Sequence, residues 1–305
     1  MEKMMGVLIA GTVTLDTVQT PQKQVEDVLG GSGTYAAVAA SFFGNPVRLV
    51  GVVGADFPQP YADFLQTRDI CLDGLKRVEN GKTFRWGGRY AEDFNVRDTL
   101  FTELNVVVDF HPVLPDAYKE TPYLFLANDP PQLQLSIIEQ ASNPKLIVCD
   151  TMDFWIHEER EALKKTIERV DILILNDSEA KLLTGESNLL RAARAILRYG
   201  PKRVIVKKGE HGAISITESS FFSAPAYPLT DVIDPTGAGD TFAGGFMGYL
   251  TSVGDVSEGS IRKAMIYGTV VASFNIEDFS INRQKSVQLS EIEARYQELQ
   301  EAVRF

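Results

Sequence analysis

Short runs of consecutive apolar residues recur along this chain. Between them lie stretches whose apolar positions return every three or four residues. The runs at 6–10, 47–53, 123–127, 145–149, 171–175 and 203–206 predict strands. They are apolar at successive positions rather than alternating, the pattern of a sheet covered on both faces. Helices are predicted over 34–43, 58–67, 132–141, 158–169 and 189–199, with stop signals at Gly44-Asn45-Pro46 and Gly200-Pro201. Alternating strand and helix predict an α/β fold, a doubly wound, mostly parallel sheet flanked by helices.

Two stretches, 17–29 and 83–110, break that rhythm. Both are polar and extended, with no helix between strands. They read as a small separate β layer: a lid over the main sheet, or two long surface hairpins. The chain is read as one domain spanning 1–305, with a lid formed by 12–30 and 82–110 inserted into the large α/β part. Towards the C-terminus, Ser290 and Glu293 predict a capping box, and Ile292, Tyr296 and Leu299 an apolar docking stripe.

Composition narrows the function classes. A chain of 305 residues can bury a large core without staples. Its net charge of −11 argues against a nucleic-acid groove or an anionic membrane surface as partner. No apolar run approaches the ~18 residues of a membrane helix, and 6–10 reads as a buried first strand rather than part of a leader. Cys71 and Cys149 cannot form a disulfide framework and point to a reducing, cytoplasmic setting. An acidic protein that handles an anionic ligand must gather positive potential locally, at helix N-termini, a few lysines or a metal ion.

Four segments carry candidate chemistry. In Asp234-Pro235-Thr236-Gly237-Ala238-Gly239-Asp240, glycines open a helix and an acid follows on its first turn. Unsatisfied N–H groups at a helix start bind anions, and Asp240 then stands beside the anion. Gly30-Gly31-Ser32-Gly33-Thr34-Tyr35-Ala36 matches G-x-G-x-x-A, with Asp56 about 20 residues on. The polar stretch before it is a poor buried strand, which argues against a dinucleotide-binding unit. Asn176 and Glu179, after a predicted strand, suit a hydrated magnesium ion and equally a capped helix start. Lys207-Lys208-Gly209-Glu210-His211-Gly212 runs from a buried strand into a glycine turn. It suits a nucleotide phosphate or an exposed hairpin.

Taken in order, these segments resemble the PfkB (ribokinase-like) family of carbohydrate and nucleoside kinases, over 6–280. The segment 234–246 resembles the family's C-terminal signature. Gly30 to Ala36, with 50–56, resembles the N-terminal one. Asn176 and Glu179 fit its N-x-x-E element. The resemblance implies ATP-dependent phosphoryl transfer to a hydroxyl of a small sugar-like substrate, with Mg²⁺. It implies Asp240 as general base and the backbone of Gly237, Ala238 and Gly239 as an anion hole. Lys207, Lys208, Gly209, Gly212, Thr236 and Tyr267 would border ATP. Asp16, Gly30, Gly31, Tyr35 and Arg85 would meet the substrate. Asn176 and Glu179 would hold Mg²⁺ through water, and Asp234 a monovalent cation such as K⁺, with a second segment near 275–280. Tyr35 and Ser32 stand where ribokinases carry the Asn that reads a furanose and a Lys, a departure from the ribose-binding pattern. The alternatives are a nucleoside kinase, where Tyr35 could stack on a base, and a nucleotide-binding regulator without turnover. A lid built only of strands leaves open edges, so a homodimer through paired lids is expected.

Overall fold

Thirteen runs pair as strands in the computed structural model, which describes residues 5–94 and 96–304. Residues 1–4, 95 and 305 lie outside the described residues; Asn95 falls within the stretch read as lid, and the others within the single-domain span. The strands are β1 (Val7–Ala10), β2 (Thr14–Gln19), β3 (Gln24–Gly30), β4 (Val47–Gly54), β5 (Ile70–Val78), β6 (Phe84–Tyr90) and β7 (Arg97–Glu103). They continue with β8 (Tyr123–Leu126), β9 (Leu146–Asp150), β10 (Ile172–Asn176), β11 (Arg203–Lys207), β12 (Ala213–Ile216) and β13 (Phe221–Ala224). The helices are α1 (Ser32–Ser41), α2 (Gln59–Thr67), α3 (Asp116–Lys119), α4 (Pro131–Gln140), α5 (Asp153–Glu158) and α6 (Arg160–Ile167). After them come α7 (Asp177–Thr184), α8 (Leu189–Leu197), α9 (Ala238–Val253), α10 (Glu258–Asn275) and α11 (Leu289–Ala302).

Nine strands form one sheet in the order β13-β12-β11-β10-β9-β8-β1-β4-β5. It is parallel from β5 to β11, and β12 and β13 turn antiparallel at one edge. Consecutive residues of β1 explain the unbroken apolar runs. Val7 and Ile9 pack into one core with residues of α1 and α9, and Leu8 and Ala10 into another with residues of α4, α6, α7 and α8. Full burial of each such side chain contributes about 1.5–3 kcal/mol, which is what holds the three layers together.

The two polar stretches form a second sheet of four strands, ordered β3-β2-β6-β7. β2 pairs with β6 in parallel, and the outer pairs are antiparallel. This sheet is smaller than the stretches, because Val107 and Phe110 turn back into the main core. β3, which precedes the G-x-G-x-x-A segment, belongs to this small sheet, so the dinucleotide-binding arrangement of strand and helix is absent there.

The C-terminal cap differs from expectation. Gln288 and Glu291, not Ser290 and Glu293, form the capping box of α11. Starting the helix at Leu289 still buries Ile292, Tyr296 and Leu299, and Glu293 is used differently, accepting the Tyr267 hydroxyl proton at 3.0 Å.

Candidate active site

Three neighbouring parallel strands end in polar residues: β9 in Asp150, β10 in Asn176 and β11 in Lys207. Asn176 and Lys207 are register partners. Ligands of open α/β sheets bind beyond these carboxyl ends. Here the ends carry a lysine between acids. Lys207 Nζ donates to Asp150 Oδ2 at 2.5 Å. Burial works against the Lys207 charge, yet Asp150, Glu179 and Asp240 outweigh it and hold the ammonium pKa above its usual value.

The start of α9 faces this cluster. Gly237 caps the helix in the left-handed conformation, at φ 75°. A Cβ there would lie 2.4 Å from the Tyr35 ring, so glycine is required both by backbone and by space. The Ala238 N–H donates to Pro235 O at 3.1 Å, which removes it from the expected anion hole. Gly237 and Gly239 supply N–H groups with no acceptor among the described residues. A Cβ on Gly239 would lie 3.0 Å from Lys207 Nζ, so the ammonium stands against this helix start.

Asp240 follows on the first turn. Burial, and then the Asp150 charge, push its carboxyl up to about 7, against the opposing pull of Lys207. A base that titrates near neutrality is suited to taking a proton from an alcohol. Asp16, at the other side, is 3% exposed and accepts the Thr14 hydroxyl proton at 2.6 Å. Its carboxyl lies against Gly30 and accepts the Gly31 N–H. Burial raises it to about 7, and Asp234 and Asp240 add to the rise.

Asn176 and Glu179 form a reciprocal capping box: Asn176 Oδ1 accepts the Glu179 N–H at 2.8 Å, and Glu179 Oε2 the Asn176 N–H at 2.7 Å. The box does not exhaust Glu179. Burial above all pushes its carboxyl up to about 8, with Lys207 opposing the rise and Asp150 adding to it. Asp150, Glu179 and Asp240 thus share one lysine, a donor set short of positive charge. That fits a cation. Among the described residues no group of three or more His, Cys, Asp or Glu side chains could hold a metal ion. Mg²⁺ would therefore be held by one or two carboxylates, water and phosphate oxygens, its usual mode.

Several expected roles move. Tyr267 is stacked between Tyr249 and Tyr296, with ring centroids 4.5 and 4.4 Å away, so neither face is open to an adenine. Tyr35 is 1% exposed and its ring supports Gly237, so it cannot stack on a base. Arg85 pairs with Asp27 and, at 3.3 Å, with Asp56; the substrate would have to displace these carboxylates. Thr236 is committed to loop structure: its N–H donates to Asp234, its hydroxyl to Tyr90, and its carbonyl accepts from Asn275. Asp234 is fully buried and accepts N–H groups of Thr236 and Ser280. The groups a monovalent cation would use already hold protein hydrogen bonds. Lys208, Gly209 and Gly212 form the tight turn between β11 and β12, closed by Lys208 N–H to Gly212 O at 2.7 Å. Gly31 caps α1 at φ 98°.

Asp150 and Arg97 were missed by sequence reasoning. Asp150 ends a buried apolar strand, a legible signal. Arg97 lies in a polar strand whose placement over the site depends on the second sheet. Its charge helps hold Asp240 ionised.

The chain resembles known proteins in sequence and in fold. Residues 118–285 match the pfkB family of carbohydrate kinases. The chain is 31% identical to a cytidine kinase of Thermococcus kodakarensis, over 80% of this chain and 88% of that protein. It superposes on the crystal structure of Methanocaldococcus jannaschii nucleoside kinase with a TM-score of 0.78 at 23% identity, covering 97% of this chain and 99% of that one. A putative ribokinase II from E. coli, in complex with ATP and Mg²⁺, gives 0.79 at 20% identity, covering 96% and 99%. A helix start with a near-neutral acid and a pinned lysine, on a ribokinase fold, and a family match over more than half the chain lead to one conclusion: the chain belongs to the pfkB family of carbohydrate kinases and is a phosphotransferase acting on an alcohol acceptor.

Proposed function

We propose that the chain is an ATP-dependent nucleoside kinase. The observation that carries the chemistry is Asp240, with a pKa of about 7, on the first turn of α9 beside Lys207. Asp240 takes the proton of the attacking hydroxyl. Asp16 accepts hydrogen bonds from further sugar hydroxyls and fixes the acceptor. Gly237 and Gly239 N–H groups and Lys207 stabilise charge on the transferring phosphoryl, the main catalytic term in such reactions. Mg²⁺ near Glu179 would neutralise phosphate charge. The four-stranded sheet acts as a lid: Tyr90 on β6 accepts the Thr236 hydroxyl proton at 3.1 Å, tying the lid to the 234–240 loop.

Sequence motifs put a free sugar first. Similarity to proteins named cytidine kinase and nucleoside kinase favours a nucleoside. A panel assay of ADP release decides between them. Turnover of a nucleoside, with none of free ribose, supports the reading; turnover of free sugars alone restores the sugar kinase. ATP binding without transfer to any acceptor would indicate a regulator. Asp240→Asn is expected to lower kcat at least about 10²-fold, the size of a general-base contribution.

A further inference from the structure

We propose that Asp150 is a positioning residue that fixes the Lys207 ammonium at the start of α9, where the terminal phosphate of the nucleotide arrives. The inference rests on the kinase reading above. A lysine has a flexible four-carbon stem and loses substantial side-chain entropy when held in one place. Two features hold this one. Its ammonium donates to Asp150 Oδ2 at 2.5 Å, and only 18% of its side chain is exposed. Asp150 is itself anchored: it is 2% exposed and its Oδ1 accepts the Thr151 N–H at 2.9 Å. Pinned in this way, Nζ lies against Gly239, beside N–H groups left unsatisfied at the helix start.

Stability alone is a poor reason for this arrangement. A buried ion pair contributes little compared with an apolar pair of the same volume. Its value here is directional. It places a full positive charge beside the helix dipole and leaves two further acids, Glu179 and Asp240, within the field of the same ammonium. Asp150 could instead serve the metal directly. The two roles differ in one testable respect, because a residue that works only through Lys207 has no effect once Lys207 is gone.

The test is a double-mutant cycle on the full chain with Asp150→Asn, Lys207→Met and the pair. Binding of ATP and of ADP is measured with Mg²⁺ present, alongside kcat and the Mg²⁺ concentration for half-maximal rate. Each single variant is expected to lose the preference for ATP over ADP by about tenfold, the size of one charge-assisted hydrogen bond. The double variant is expected to lose no more, and the Mg²⁺ requirement of Asp150→Asn to stay at the wild-type value. Losses that multiply in the double variant, or an Asp150→Asn that keeps the ATP preference but needs more Mg²⁺, would overturn the proposal. If Asp150→Asn does not fold, Asp150→Glu carries the same test, since it keeps the buried charge and displaces the ammonium by one methylene. Wild-type protein that binds no ATP defeats the kinase reading and this proposal together. Wild-type binding with an unaffected Asp150 variant defeats this proposal alone.

Discussion

At the scale of single residues, the site depends on carboxyls held far from their ordinary pKa. Asp240 and Asp16 both titrate near 7 because burial disfavours their charged forms. The base role proposed for Asp240 requires it ionised, so kcat/KM should fall as pH drops below about 7, with a plateau above ~8. A rate flat from pH 5 to 8 would remove Asp240 from the base role. Stability runs the other way. The folded-state pKa is raised above the unfolded value of 3.8, so the contribution of these acids is full below the unfolded pKa and is lost as pH rises through 7. Asp240→Asn should therefore melt higher than wild type above pH 7 while losing turnover. A melt below that of wild type would show that the carboxylate supports the fold. The place of Asp240 at a helix start was legible in the glycine-rich segment 234–240, whereas the part proposed for Asp16 came only from the family resemblance. The surroundings of Tyr35, Tyr267 and Arg85 were not legible, because their partners, Gly237, the Tyr249–Tyr296 stack and the Asp27–Asp56 pair, lie far away in sequence.

At the scale of elements, the turn that starts α9 decides whether an anion hole exists. Gly237→Ala forces a Cβ into the Tyr35 ring and strains a left-handed backbone by about 1–2 kcal/mol. The expected outcome is a lowered Tm and a kcat reduced at least about tenfold, out of proportion to the change in KM for the alcohol acceptor. Tyr35→Ala in the same chain should recover part of the Tm and little of the kcat, because the backbone strain stays. Full recovery of kcat would show that only the clash mattered. Six strands of the main sheet were legible because both faces are covered and their residues are apolar without interruption. β5 was not, since Asp73, Lys76 and Arg77 mark it as a sheet edge, where charge protects against further pairing. β12 and β13 were hidden for a related reason: they turn antiparallel at the other edge, and β13 exposes Phe221.

At the scale of the whole molecule, the small sheet poses the remaining problem. All seven residues of β7 are exposed, and Leu100 at 42% and the adjoining Val96 at 53% present apolar surface there. β7 and β3 are the two open edges of a four-stranded sheet. Such edges invite pairing unless something covers them. We propose that a second copy does so, lid against lid about a two-fold axis, the usual closed solution for identical chains. Each chain carries a net charge of −11, so long-range repulsion opposes the pairing. Salt should strengthen it, since the Debye length shrinks from about 30 Å at 0.01 M to about 10 Å at 0.1 M. Sedimentation at micromolar concentration is expected to give a dimer in 0.1 M salt and partial dissociation in 0.01 M. Leu100→Asp is expected to give a folded monomer whose melting temperature, unlike that of the wild-type dimer, does not change with protein concentration. A wild-type monomer at both salt concentrations would refute the lid interface. A Leu100→Asp dimer would move the contact elsewhere. Because the same sheet ties into the 234–240 loop through Tyr90, a monomeric variant should also show a raised KM for the alcohol acceptor. An unchanged KM would mean that each lid closes without its neighbour.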